Sequence, residues 1–165
     1  MRIVCDSSAM IWCGKLGLLR YLEKLCEVIV IPKGVEQEFQ TGLKIGYRDA
    51  YQRMSFIQSQ KVKNKTANKR IVEALQRKYG FSPCDAEVLA IAKQGYLQMS
   101  DDQHILDAMA MEKLQESVFT TADFVLFLSQ QKIINKKQVH EIIKLMHLFL
   151  YPRAGILKIE QEVGL

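Results

Sequence analysis

The sequence predicts an α/β fold with a mainly parallel sheet. Three observations predict it. Short apolar segments alternate with stretches of helical periodicity along the chain. One of these segments, EVIVI at 27–31, is apolar without alternation, as expected of a strand buried on both faces of a parallel sheet. Acidic residues also stand directly after two of the short segments, at the carboxyl ends of strands, where open parallel sheets bind their ligands. The length of 165 residues suits one domain with a sizeable core, spanning 1–165 and carrying a helical C-terminal extension from about 135.

Residues 2–5, RIVC, read as the first strand. Asp6 follows, where an acid would ordinarily cap a helix, and helical pattern begins at Ala9. Gly14 is expected to interrupt it, and Leu16, Leu18, Leu19, Leu22 and Leu25 resume helical spacing. The second strand, 27–31, stops at Pro32, which opens a helix over 32–40. Val35 and Glu38 lie three apart there, on neighbouring parts of one face. Taken alone, Glu36 and Glu38 read as solvated surface acids. Residues 40–60 hold two glycines and then a helical pattern through Tyr47, Tyr51, Met54 and Phe56.

Residues 61–78 carry seven basic residues against one acid. Their first half reads as strand or loop, and Thr66 or Asn68 as the cap of a helix to Tyr79, stopped by Gly80. Such a run is usually a solvated face, but beside several acids it is also what a phosphate backbone would need. Ser82 and Pro83 start the next helix. Asp85 sits in its first turn, in an S-x-x-D pattern close to a capping box. Val88, Leu89, Ile91 and Ala92 give that helix an apolar side.

Gly95 breaks the pattern, and 96–99 reads as a strand. Ser100-Asp101-Asp102-Gln103 is an S-x-x-Q capping box for a helix over 102–114. Two adjacent acids exceed what a cap needs, and they repel unless something positive sits between them. A further strand is expected at 117–119 and a helix at 121–131. Asn135 caps a long helix with a stripe of Val139, Ile142, Ile143, Met146 and Leu150. His140 and His147, seven apart on it, read as structural or exposed. The tail, 155–165, reads as an edge strand or loose chain.

The formal charge of +5 and pI of about 9.0 favour a polyanionic partner only weakly. No apolar run is long enough for a membrane span, and MRIVCDSS lacks a signal-peptide core, so a cytoplasmic location is expected. Cys5, Cys13, Cys26 and Cys84 show no C-x-x-C spacing and read as free thiols.

Asp6, Asp101 and Asp102 follow strands directly and are expected on one edge of the sheet; bringing Asp85 and Glu38 there requires the fold. Clustered carboxylates raise one another's pKa unless a cation intervenes, and Mg²⁺ or Mn²⁺ prefers such oxygen ligands. No phosphate-binding loop, dinucleotide fingerprint or nucleophile elbow is present. Four pieces, IVCDSSAMI, IPKGVEQEF, SPCDAEVLAIA and LQMSDDQHILDAMA, resemble in order and spacing those of PIN-domain ribonucleases, the family that includes VapC-type toxins. VFTTADFVLFLSQQKII at 118–134 resembles the helix that often follows. The resemblance implies a three-layer α/β/α sandwich and an acidic site of Asp6, Glu38, Asp85 and Asp102, with Asp101 as a helper in holding metal. It matches the family's small polar residue after the first Asp with Ser7 or Ser8. It also implies Mg²⁺ or Mn²⁺ as cofactor, RNA as substrate, a small antitoxin partner docked on the apolar helices near 9–25, and a homodimer, as in many members. Two other readings remain open: a non-catalytic RNA-binding or assembly module, and a protein handling a phosphorylated small molecule at the same edge.

Overall fold

Parallel strands can be joined only by crossovers, and the chain supplies one or two helices for each. The computed structural model describes residues 1–46 and 48–164, and the side chains of 48–52 are left out of the description. Among the described residues, β1 (Arg2–Cys5), β2 (Val28–Ile31), β3 (Val62–Asn64), β4 (Leu97–Met99) and β5 (Val118–Phe119) form one parallel sheet, in the order β3-β2-β1-β4-β5. Helices α1 (Ser7–Lys15) and α2 (Leu19–Leu25) join β1 to β2, and α3 (Lys33–Ile45) and α4 (Arg48–Ile57) join β2 to β3. Helices α5 (Lys69–Tyr79) and α6 (Pro83–Ala92) cross back to β4, and α7 (Gln103–Met111) leads to β5. Then come α8 (Thr121–Gln130), α9 (Lys136–Leu148) and α10 (Arg153–Val163).

The expected α/β class and parallel sheet are therefore observed, with helices flanking the sheet. The chain walks outward from β1 to β3, then returns to β4 beside β1 and walks outward the other way. The direction reverses between β1 and β4. Register pairs Cys5 with Met99, so both strands end level, and the residues just beyond them share one edge. Ile3, Val4, Cys5, Ile29, Val30, Ile31 and Met99 are buried at the centre of one contiguous core.

Several local expectations are corrected. Gly14 does not interrupt α1; it is buried inside it, and a Cβ there would rest against Arg53 Cγ of α4 at 3.4 Å. The break comes at Leu16–Leu18, where Gly17 takes a φ of +67° that a side chain disfavours. Helix α3 runs on through Gly42 and ends on Gly46, past the expected 40. Helix α7 is capped by Asp102 rather than by an S-x-x-Q box, because the Ser100 hydroxyl is engaged elsewhere. It ends at Met111, short of 114. The tail is neither strand nor loose: Ile156, Ile159 and Val163 recur at helical spacing and face the core, making α10. Tyr47 lies outside the described residues, as does the side chain of Tyr51. The four cysteines are free, with Cys84 half-buried and the other three buried.

Candidate active site

Asp6 is the first residue past β1 and caps α1, as an acid at that junction should. Its Oδ1 accepts from the Ala9 amide at 2.8 Å and from the Ser8 hydroxyl at 2.8 Å. Its Oδ2 accepts from the hydroxyl of Ser100, the first residue past β4. The strand-end neighbour relation between β1 and β4 is thus closed by a side-chain bond between residues 94 positions apart. Asp6 is 2% exposed, and burial pushes its carboxyl up to about 6, against the opposing pull of those hydrogen bonds. The charge of nearby Asp101 adds to the rise.

Glu38 lies on α3, and the Ser7 hydroxyl, next to Asp6 in the chain, donates to its Oε2. Asp85 stands in the first turn of α6, and the Ser82 hydroxyl donates to its Oδ2 at 2.7 Å while accepting from its amide at 3.2 Å. That pairing replaces the reciprocal capping box, since the Asp85 carboxylate takes the hydroxyl proton and not the Ser82 amide. Helices α3 and α6 meet where Gly34 faces Cys84; a Cβ at Gly34 would sit 3.1 Å from the sulfur. Burial pushes the Cys84 thiol up to about 12, and the charges of Glu38, Asp85, Glu87 and Asp6 push the same way. Ser7 thus ties Glu38 to the turn after Asp6, and the Gly34–Cys84 contact sets the head of α6, with Asp85, against α3.

Asp101 and Asp102 part company. Asp102 is exposed, and its Oδ1 accepts from the His104 amide at 2.8 Å at the head of α7. Asp101 turns the other way. Its Oδ1 accepts from the Thr121 amide at 3.0 Å and from the Tyr151 hydroxyl, and its Oδ2 accepts from the Thr121 hydroxyl. Burial raises its pKa despite these bonds.

The donor chemistry, carboxylate and hydroxyl oxygen, fits a hard divalent cation. Among the described residues, lysine ion pairs run to Glu73, Glu112, Glu141 and Asp123, and none of these acids belongs to the candidate site. Nor do three or more His, Cys, Asp or Glu among those residues stand ready as a metal-ligating group. Three lysines of the basic run are engaged within the protein. Lys61 donates to the Glu23 carbonyl, Lys69 pairs with Glu73 at 3.8 Å, and Lys78 pairs with Glu112 at 2.7 Å.

The family model described as PIN domain (DUF3368) matches residues 2–149. The chain belongs to the PIN-domain family. Two solved structures resemble this PIN domain. PAE2754 from Pyrobaculum aerophilum aligns with a TM-score of 0.58 at 15% identity, over 78% of this chain and 95% of that one. VapC20 of Mycobacterium tuberculosis, described as a sarcin-ricin loop cleaving toxin, aligns with a TM-score of 0.50 at 19% identity, over 64% of this chain and 94% of that one. At these identities the likeness is one of fold. No curated protein matches the chain by sequence.

In the sequence of this PIN domain Ser82 and Ser100 carry only a helix-capping signal, and Thr121 and Tyr151 carry no functional signal, because their partner Asp101 is distant in the chain. Ser8 and Ser100 both serve Asp6, which the linear pattern did not show. The apolar residues at 9–25 proposed as a docking face are largely core: Ala9, Met10, Cys13, Leu16, Leu18, Leu19 and Leu22 are buried. Among the described residues no helix is long and apolar enough to cross a membrane.

Proposed function

We propose that this PIN domain is a metal-dependent endoribonuclease whose site is formed by Asp6, Glu38, Asp85 and Asp102. One observation carries the reading. The ends of β1 and β4, which carry Asp6 and Asp102, lie side by side where the sheet order reverses and are joined by the Ser100–Asp6 hydrogen bond. The four carboxylates would hold Mg²⁺ or Mn²⁺. Such an ion supplies Lewis acidity towards a phosphodiester and eases deprotonation of water. The protein's own part is orientation. Ser8, Ser100 and the Ala9 amide fix Asp6, Ser7 turns Glu38, and Ser82 turns Asp85. Glu38 and Asp102 are exposed, so each can turn inward without disturbing the core. Asp101, with both oxygens already engaged, supports the site from behind and is not a direct ligand in this reading.

RNA as substrate class and a toxin role with a small antitoxin partner are supported by family membership and by the toxin among the structural neighbours. Homodimer formation and a cytoplasmic setting belong to the same proposal. Recovery of a small acidic protein with the chain from its native host would favour the toxin role; its absence would favour a solitary RNA-processing nuclease.

The decisive experiment is cleavage of a mixed set of labelled RNAs with Mn²⁺, Mg²⁺ or EDTA, for wild type beside Asp102→Asn. Metal-dependent cutting that the substitution removes is the expected result. Metal-independent RNA binding without cutting would move the protein to the binding-module reading.

A further inference from the structure

We infer that Tyr151, which lies beyond the residues matched by the family model, is a positioning residue for the carboxylate edge and acts through Asp101. The inference rests on the reading of that edge as a metal site. The connection is a continuous chain of hydrogen bonds. The Tyr151 hydroxyl donates to Asp101 Oδ1 and accepts from the Ala122 amide at 3.1 Å. Thr121 gives its amide and hydroxyl to the same carboxylate. The Asp101 amide donates to Ser8 Oγ at 3.0 Å, and that hydroxyl donates to Asp6 Oδ1 at 2.8 Å. One residue on, the Asp102 amide donates to Ser100 Oγ at 3.1 Å, and Ser100 donates to Asp6 Oδ2. Asp101 therefore joins the two strand ends that carry the acids to the start of α8.

Tyr151 is held for this task from two other sides. Its ring packs edge-on against Trp12 of α1, with centroids 4.8 Å apart. On the other side Gly155 of α10 leaves room for it: a Cβ at that position would lie 2.5 Å from Tyr151 Cε1. The ring is buried, so the hydroxyl has little freedom to leave Asp101. Helix α10 lies mainly on α8 and carries none of the site acids, yet it seats the side chain that closes the network. Outer partners of metal ligands act in this way, by fixing the main chain and rotamers from which the ligands project.

The test uses the full chain with Tyr151→Phe, which keeps the ring on Trp12 and removes the hydroxyl alone. In the metal-free protein, exchange of the Asp101, Asp102 and Thr121 amides with solvent, followed by NMR, is expected to speed up while α9 amides exchange as before. Calorimetric titration with Mn²⁺ is expected to show binding weakened about tenfold, the lower end for such outer partners. Asp101→Asn is expected to weaken Mn²⁺ binding as well, and the double variant no more than the worse single one, because both act along one path. Unchanged exchange at those amides, or additive losses in the double variant, would overturn the inference. If wild type itself binds no Mn²⁺, the metal reading fails, and the exchange rates still decide whether Tyr151 positions Asp101.

Discussion

Asp6 is a carboxylate 2% exposed, and burial moves its pKa from 3.8 to about 6. The folded protein then binds the Asp6 proton more tightly than the unfolded chain does. Stability from this group is present at low pH, falls as pH rises from the unfolded value through about 6, and is flat above it. A shift of about two units is worth on the order of 2–3 kcal/mol at neutral pH. Asp6→Asn removes that burden but keeps an acceptor for Ala9. The variant is expected to be more stable than wild type at neutral pH by on the order of 2 kcal/mol, with the gap closing in mild acid, and to cut no RNA. Thermal unfolding at the two pH values checks it. A variant less stable at neutral pH would mean that the bonds from Ser8 and Ser100 outweigh the cost of burial. The serines around the acids show the same economy at this scale: Ser7, Ser8, Ser82 and Ser100 each turn one carboxylate with one hydroxyl.

Among the elements, α10 is the one whose packing reaches the site. It lies on α8 at Gly155, where an added Cβ would meet Tyr151 Cε1 at 2.5 Å and Ala122 Cβ at 3.1 Å. Gly155→Ala gains helix propensity of up to about 1 kcal/mol. Overpacking costs about 1–3 kcal/mol, and here the obstructing ring is fixed by Trp12 and Asp101 and cannot easily yield. The clash wins, so the variant is expected to lose about 1–2 kcal/mol in denaturant unfolding. A net gain in stability would show that α10 can slide on α8. Elsewhere Glu112 gathers Lys78, Lys93 and Tyr79, which ties α5, α6 and α7 together. Those two lysines and Tyr79 hold its carboxyl down at about 2, so this clasp stays charged through the working pH range.

At the scale of the molecule, a metal held by the proposed carboxylate site would stabilise the fold by mass action. At a hundred times its dissociation constant an ion that binds only the folded state adds about 2.7 kcal/mol. For a chain of this size that is a rise of about 5–10 °C in the unfolding midpoint. Mn²⁺ is expected to produce such a rise, EDTA to reverse it and Asp102→Asn to blunt it; differential scanning calorimetry reads all three. An unmoved midpoint in wild type would remove the metal site from the proposal. Of the basic residues in 61–78, Lys61, Lys69 and Lys78 also make contacts within the protein, to the Glu23 carbonyl, Glu73 and Glu112.

By itself the sequence determined the class of fold and placed Asp6 and Asp102 just past strand ends. VIVI without alternation is the pattern of a strand buried on both faces, and helix-length stretches between short strands supply the crossovers that parallel pairing needs. Local rules also placed the helix starts at Ser82 and Asn135 and narrowed a third to Thr66 or Asn68, of which Asn68 is the cap, since a cap acts within three residues of itself. Tertiary structure decided what local pattern cannot carry. Gly14 serves a neighbouring helix and so looks like a break when α1 is read alone. Asp101 and Asp102 are adjacent and equivalent in sequence, yet one faces Thr121 and Tyr151 while the other stays exposed. That choice depends on partners 20 and 50 residues away, and only the packed sheet and α8 bring them within reach of a hydrogen bond.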